Sequence, residues 1–228
     1  NKTSLRARPA ETVSSKGRRV SRRGQSDGRG RDVQGAMRMR GGDTSGLRAY
    51  NERLIIDALL RAGALSKAEI ARETGLSGQA ASVIVNRLLS EGLLVKRDKV
   101  RGHVGQPSTP IAPNPQGAFS LGVKIGRRST EAILVNLVGE VIGSSNDSYD
   151  APFPERAIPS AISQTQRLME RAPTAIRDRI VGLGIAMPGE IYAWSRELDL
   201  APGALDGWRD ADVAGALAEA TGLETSLH

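Results

Sequence analysis

Between Leu47 and Ala62 the apolar side chains return at helical intervals. Leu47, Leu54, Ile55, Ala58, Leu59 and Ala62, with Asn51 among them, share one face and predict an amphipathic helix that Gly63 ends. The run Ser66-Lys67-Ala68-Glu69 has the spacing of a capping box and predicts a short helix over 67–74, with Gly75 placed for the left-handed turn that closes it. Ser77 caps a third helix that runs to about Glu91 and stops at Gly92. Within it Ala81, Ile84, Val85 and Leu88 form the inward stripe, while Gln79, Ser82 and Asn86 fall on other faces. Leu93 to Val95 then reads as a strand, 96–102 as a basic turn, and Pro107 to Ala112 as a returning edge strand interrupted by prolines.

The pattern changes after residue 115. Ala118 to Ile125, Thr130 to Val138, and Val141 towards Tyr149 are strand-like runs separated by short turns, which predicts an antiparallel meander. Residues 155–171 read as a helix with Ile158, Ile162, Leu168 and Met169 inward and Pro159 tolerated in its first turn. Ile180 to Met187 is nearly continuous in apolar residues, as in a strand covered on both faces. It runs into Pro188-Gly189-Glu190, a sharp turn at the strand end where open α/β sheets bind ligands. A helix over 210–221 ends at Gly222, and Leu223 to His228 opens another strand. A domain that stops while entering a strand is expected to be unfinished.

Charge divides the 228 residues in the same places. Residues 1–46 carry a net +8, residues 47–115 carry +4, and residues 116–228 carry −5. The first segment mixes Arg, Gly and Ser with few large apolar residues, so a disordered basic tail over 1–46 is expected. Residue 1 is Asn, and Met37 or Met39 is an alternative start ahead of the first folded element. There is no cysteine, and the two histidines are His103 and His228. That rules out a disulfide scaffold, a thiol nucleophile and cysteine-ligated metal, and a histidine-rich metal site is not expected. No apolar run nears the ~18 residues of a membrane helix, and no signal-peptide pattern opens the chain. A cytoplasmic bacterial protein is the resulting expectation, associated with the nucleoid when bound to DNA, with no membrane partner.

A capped short helix, a tight turn, a longer helix with small polar residues near its start and a basic hairpin make a winged helix-turn-helix over 47–113. Gln79 and Ser82 are placed to reach base edges, Gln pairing with adenine N6 and N7, and Ser77 and Asn86 join them as candidate DNA contacts. Lys67, Arg72 and Arg87 would hold phosphates, as would Lys96, Arg97, Lys99 and Arg101 in the wing. Each piece alone has a structural explanation: capping boxes are common, basic loops are often only solvated, and some winged helices contact proteins. Their order favours double-stranded DNA. One winged helix reads few base pairs, so useful specificity predicts a homodimer or higher homo-oligomer on paired half-sites.

Several segments resemble the ROK family of repressors and sugar kinases, in the family's order and over roughly residues 47–228. They are the Leu76-Ser77 turn with Gln79 to Ser82, the wing's Gly105-Gln106-Pro107, the run Leu121-Gly122-Val123-Lys124-Ile125-Gly126, and Ala186-Met187-Pro188-Gly189. The resemblance implies an α+β protein of two domains: the winged helix, then over 114–228 the first lobe of an actin-like (sugar-kinase, ribonuclease H-like) α/β domain. It implies a small carbohydrate effector, with Pro188, Gly189 and the loop holding Trp208 lining its cleft. A lone Trp beside a helix start is more often core.

The family's kinases carry an Asp on the first strand and Gly-Gly-Thr in the turn after it. This chain has Lys124 and Arg127-Arg128-Ser129 there. A lysine cannot ligate Mg²⁺, and two arginines fill space that phosphates would need. An exposed turn explains the arginines, and anion binding by the arginines themselves is the other reading. The family's catalytic Asp, cysteine-rich zinc motif and most sugar contacts fall past His228, so no catalytic residue, cofactor or metal site is assigned. Gly182 and Gly184 lack the third glycine of a dinucleotide fingerprint. The expected function is a sugar-responsive transcriptional regulator of the repressor type. The alternatives are a ROK-type sugar kinase carrying an appended winged helix, and a non-specific nucleic-acid binder driven by the tail.

Overall fold

The computed structural model describes residues 44–98 and 109–227. The front of the chain is a helical triplet with a small antiparallel ribbon. Helix α1 spans Thr44–Ala62, α2 Lys67–Thr74 and α3 Gly78–Ser90, followed by β1 Leu94–Lys96 and β2 Ile111–Pro113. The first helix starts three residues ahead of the apolar pattern. Its inward face is also narrower than that pattern suggests: Ile55, Ala58 and Leu59 are buried, but Leu47 is 48% exposed. The expected stripe is therefore corrected at its front end, because α2 and α3 are too short to cover the first turns of a 19-residue helix.

Both helix starts form as the sequence chemistry requires. The Ser66 hydroxyl accepts from the Glu69 N–H and donates to the Glu69 carboxylate, which in turn accepts from the Ser66 N–H. Gly75 then turns the chain at φ 70°, a left-handed conformation that strains any residue with a Cβ. Ser77 accepts from the Ala80 N–H to open α3. Ile70, Ala81, Val85 and Leu88 close on Ile55 and Leu59, and Leu94 and Ile111 of the ribbon complete this core. Leu65 pairs with Ile111 through two backbone bonds, so the α1–α2 connection lies beside the ribbon as a third short edge.

The second part is a five-stranded sheet in the order β5-β4-β3-β6-β7. β3 Phe119–Ile125, β4 Ser129–Asn136 and β5 Val141–Ser148 form the expected antiparallel meander. β6 Ile180–Ala186 and β7 Thr225–Leu227 join parallel, β6 beside β3 and β7 beyond it. One face of the sheet carries α4 Pro154–Arg171 and α6 Val213–Thr221, with a short helix α5 Thr174–Arg177 leading into β6. Phe119, Leu121, Val123, Ile125, Leu134, Leu183 and Ile185 fill the space beneath them.

Two expectations for this half need correcting. In α4 the buried stripe is Ala157, Ser160, Ala161, Gln164, Thr165 and Leu168. Ile158, Ile162 and Met169 sit at its margins, because small residues at the centre let the helix lie close on the sheet. Pro159 stands beyond the first turn, on an exposed part of the helix. Nor is β6 covered on both faces: Leu183 and Ile185 point into the core, but Val181 is 65% exposed. The apolar look of the run comes partly from Gly182 and Gly184, which put no side chain on the outer face.

The two parts meet where the recognition-type helix ends. The Asn114 side-chain amide donates to Gly92 O at 2.7 Å, and an Arg179 guanidinium N–H donates to Gln116 O at 2.9 Å. A Cβ on Gly117 would lie 2.8 Å from Gly92 O and 2.9 Å from Leu93 Cα, both backbone atoms with no freedom to retreat. Gly117→Ala is therefore expected to cost about 1–3 kcal/mol through overpacking. Gly184→Ala, facing open space on a strand, is expected to stay within about 0.5 kcal/mol of the parent. Urea denaturation of both variants checks this; equal effects would refute the close packing at Gly117.

Candidate functional site

Burying Ala81, Val85 and Leu88 turns the opposite side of α3 outward. Gln79 and Asn86 are exposed there and Ser82 is half-buried. Ser77, at the same end of the helix, has its hydroxyl oxygen engaged by the cap. Lys67, from the first turn of α2, donates to Asn86 Oδ1 at 2.6 Å, so the two helices of the motif are joined across their exposed side. Arg72 is exposed on α2, and Lys96 and Arg97 are exposed at the end of β1. Lys99 and Arg101, with Gly105-Gln106-Pro107, lie outside the described residues.

Arg87 is not brought to this face. Its guanidinium pairs with Glu52 of α1 and stands 3.6 Å from Glu91, one helical turn on. The arginine that sequence spacing offers to a phosphate thus braces α3 against α1. Glu52 was invisible to that reasoning because the periodicity of α1 marks it only as a polar position.

The second candidate region is the sheet edge at which β3, β6 and β7 all end. There Lys124 and Ala186 are paired across neighbouring strands, so the turns after β3 and β6 lie side by side. The turn after β3 is a tight hairpin, Gly126 N–H to Ser129 O, held from below by Tyr149, whose hydroxyl lies 2.9 Å from both Gly126 O and Ser129 O. Burial pushes the Tyr149 hydroxyl above its ordinary pKa. Arg128 donates to Asp150 O, and Arg127 lies 3.5 Å from Glu197 and over the Trp194 ring at 5.8 Å. Lys124 faces Glu131 at 3.9 Å across the β3–β4 pair. Each of the three cations at this edge therefore has a partner within the chain.

Pro188 and Gly189 are exposed on the turn that leaves β6 for the short 3-10 helix Ile191–Ser195. Trp208 sits on the 3-10 helix Asp206–Arg209 but does not open onto that turn as a free aromatic face. It is 7% exposed within the core, and its indole N–H donates to Pro152 O at 2.6 Å. The expectation of a sugar-stacking Trp208 is corrected accordingly: its ring is packing, and the loop around it is what reaches solvent.

Comparisons with known proteins agree with this geometry. The MarR family model matches residues 49–102, which take in α1 from its sixth residue on, all of α2 and α3, and β1. A xylose repressor of Bacillus spizizenii is 24% identical over 171 residues, covering 75% of this chain and 44% of that protein. A transcriptional regulator of Mycobacterium bovis is 30% identical over 175 residues, covering 72% of this chain and 37% of that protein. The chain thus spans less than half the length of these relatives. A solved ROK family transcriptional regulator, described as a homologue of the E. coli MLC protein, superimposes with a TM-score of 0.55 at 16% identity, over 79% of this chain and 45% of its own. The fold is that of a winged helix joined to an actin-like lobe. The comparisons bear out the resemblance to the ROK family of transcriptional regulators.

The capping box supports the start of the helix-turn-helix and is testable by acid. Hydrogen bonds from the Ser66 hydroxyl and then the Ser66 N–H hold the Glu69 carboxyl below its ordinary value. A carboxylate whose folded pKa is lowered adds stability above its unfolded value, and that stability is lost as pH falls through the folded one. Ser66→Ala is expected to cost about 1 kcal/mol at neutral pH. The gap to the parent should narrow on the acid side of the ordinary carboxylate value without vanishing, because the Glu69 N–H to Ser66 Oγ bond does not titrate. Thermal unfolding from pH 7 to pH 3 measures it, and a gap constant with pH would argue against the reciprocal cap.

Proposed function

We propose that this chain is the DNA-binding and effector-lobe part of a carbohydrate-responsive transcriptional repressor. It binds operator DNA through α3 and the wing as a homodimer or higher homo-oligomer, in the cytoplasm and on the nucleoid when bound. The observation that carries this reading is the exposed, mostly polar side of α3, opposite a buried one, with Lys67 bonded to Asn86 across it and Arg72, Lys96 and Arg97 exposed on the neighbouring elements. Side chains at such a helix start enter the major groove, and cations around it fix the register on phosphates. Ser77, Gln79, Ser82 and Asn86 are the proposed base-side contacts. Lys99 and Arg101 extend the phosphate contacts, and Arg87 supports the domain from within.

The carbohydrate reading rests on the names of the xylose repressors among the relatives and on the exposed Pro188-Gly189 turn at the ligand-binding edge of the sheet. The effector would favour an arrangement in which the recognition helices no longer match the half-site spacing, a population shift between two states. Sugar phosphorylation is disfavoured here. Lys124 cannot bind Mg²⁺, and the turn that would cradle phosphates is closed by Tyr149, Arg127 and Arg128. No catalytic residue, cofactor or metal ligand is proposed.

Selection from random duplex DNA at near-physiological salt, with the parent chain and Gln79→Ala in parallel, tests the assignment. The parent should enrich a palindromic motif. Gln79→Ala is expected to lose about 1–3 kcal/mol at the cognate site and to relax discrimination there. Arg97→Ala should weaken all duplexes about equally and lower the salt slope by about one unit. Equal loss on cognate and random DNA for Gln79→Ala would remove it as a base reader. No enriched motif, with binding that collapses in modest salt, would leave the non-specific binder as the reading.

A further inference from the structure

The outward side of α3 contains a residue that reasoning from polar contacts passes over. Val83 is 64% exposed. The other large aliphatic residues of this helix are covered: Val85 and Leu88 lie in the core, and Ile84 and Leu89 pack against it. A β-branched residue on an exposed helix surface gains nothing from helix propensity and leaves an isopropyl group in water. Nothing in the fold of the chain calls for valine at this position.

Its neighbours explain it better. Gln79, Ser82, Val83 and Asn86 are spaced i, i+3, i+4 and i+7, so they form one continuous stripe with Val83 in its middle. Asn86 has its Oδ1 engaged by Lys67, which leaves its amide N–H groups as donors one turn beyond Val83. Among the four bases only thymine presents a methyl group in the major groove, and it carries the O4 acceptor beside it. An apolar group next to an amide donor matches that pair of features.

We infer that Val83 is a specificity-determining residue that reads thymine: its isopropyl group packs on the C5-methyl of one thymine in each half-site. The inference rests on the proposal that α3 enters the major groove, and it names the base that this helix demands. An isopropyl group has no partner of comparable chemistry on a phosphate or on the other three bases.

Replacing each thymine of the selected motif in turn by deoxyuridine removes only the methyl group and tests the contact directly. With the full chain, one position per half-site is expected at which uracil weakens binding about fourfold, the worth of one buried methyl group. Val83→Ala should bind the thymine and uracil duplexes alike at that position. Val83→Ile should keep the preference, and Gln79→Ala should keep the ratio while losing overall affinity. All three variants should hold the parent melting temperature, since neither side chain is in the core. A motif whose every thymine tolerates uracil, or a thymine preference that survives in Val83→Ala, overturns the inference and leaves α3 as a reading helix. Failure to enrich any motif overturns both.

Discussion

The packing of α3 against α1 and α2 is the constraint from which the proposed DNA-facing surface follows. Ala81, Val85 and Leu88 are between 0% and 1% exposed against Ile55, Leu59 and Ile70. At 3.6 residues per turn, a helix that buries these positions must direct 79, 82, 83 and 86 the other way. The Arg87–Glu52 pair holds the same rotation from the side. A slip of one residue would bury Ser82 and Asn86 without partners and expose Val85, so the rotation that positions the site is also the one the core demands.

The same helix is anchored at its far end to the sheet. Its closing residues lead to Gly92, whose carbonyl accepts from Asn114, while Gly117 fits against that carbonyl at a distance no Cβ tolerates. Arg179 caps this seam from the start of β6, and the other end of β6 carries the Pro188-Gly189 turn. One strand therefore spans from the seam to the proposed effector edge. Strand β6 is bonded on both sides, by β3 and β7, so it is suited to move as a rigid piece rather than to bend. In the proposed regulator, coupling between the DNA face and the effector edge has this short contiguous element available to carry it.

Much of this was legible in the sequence because it is local. The Ser66–Glu69 box, the left-handed Gly75, the Ser77 cap and the meander turns each depend on residues a few positions apart, and all formed as read. What escaped depends on distant partners. Glu52 claims Arg87 from 35 positions away, a pairing that no helical period encodes. The family resemblance puts Trp208 at a ligand cleft; Pro152, which accepts its N–H, is 56 positions earlier. The α4 face was misread for another reason. Hydrophobicity pointed to Ile158, Ile162 and Met169, whereas close approach to the sheet selects small side chains and buries Ser160 and Gln164, which bond to each other. The role proposed for Val83 is hidden from sequence for a third reason: an apolar residue at helical spacing reads as core until its exposure is known.

The sheet edge bears on the choice between the proposed effector position and a phosphate-transfer reaction. Phosphate transfer needs a turn whose backbone N–H groups are free to converge on an anion, with a carboxylate to hold the metal. In this chain the Gly126 N–H is taken by Ser129 O, and Arg127 and Arg128 are pinned to Glu197 and Asp150. Lys124 points at Glu131. Opening that turn would break the Tyr149 bond beneath it, a net cost of about 0.5–1.5 kcal/mol before any phosphate is bound. Among the described residues the adjacent turn after β6 carries no such closure: Pro188 and Gly189 are exposed. An edge with a closed phosphate turn and an open neighbouring turn favours recognition without chemistry. Fold alone does not decide between sensor and kinase; the side chains that close the β3–β4 turn are what favours the proposed sensor.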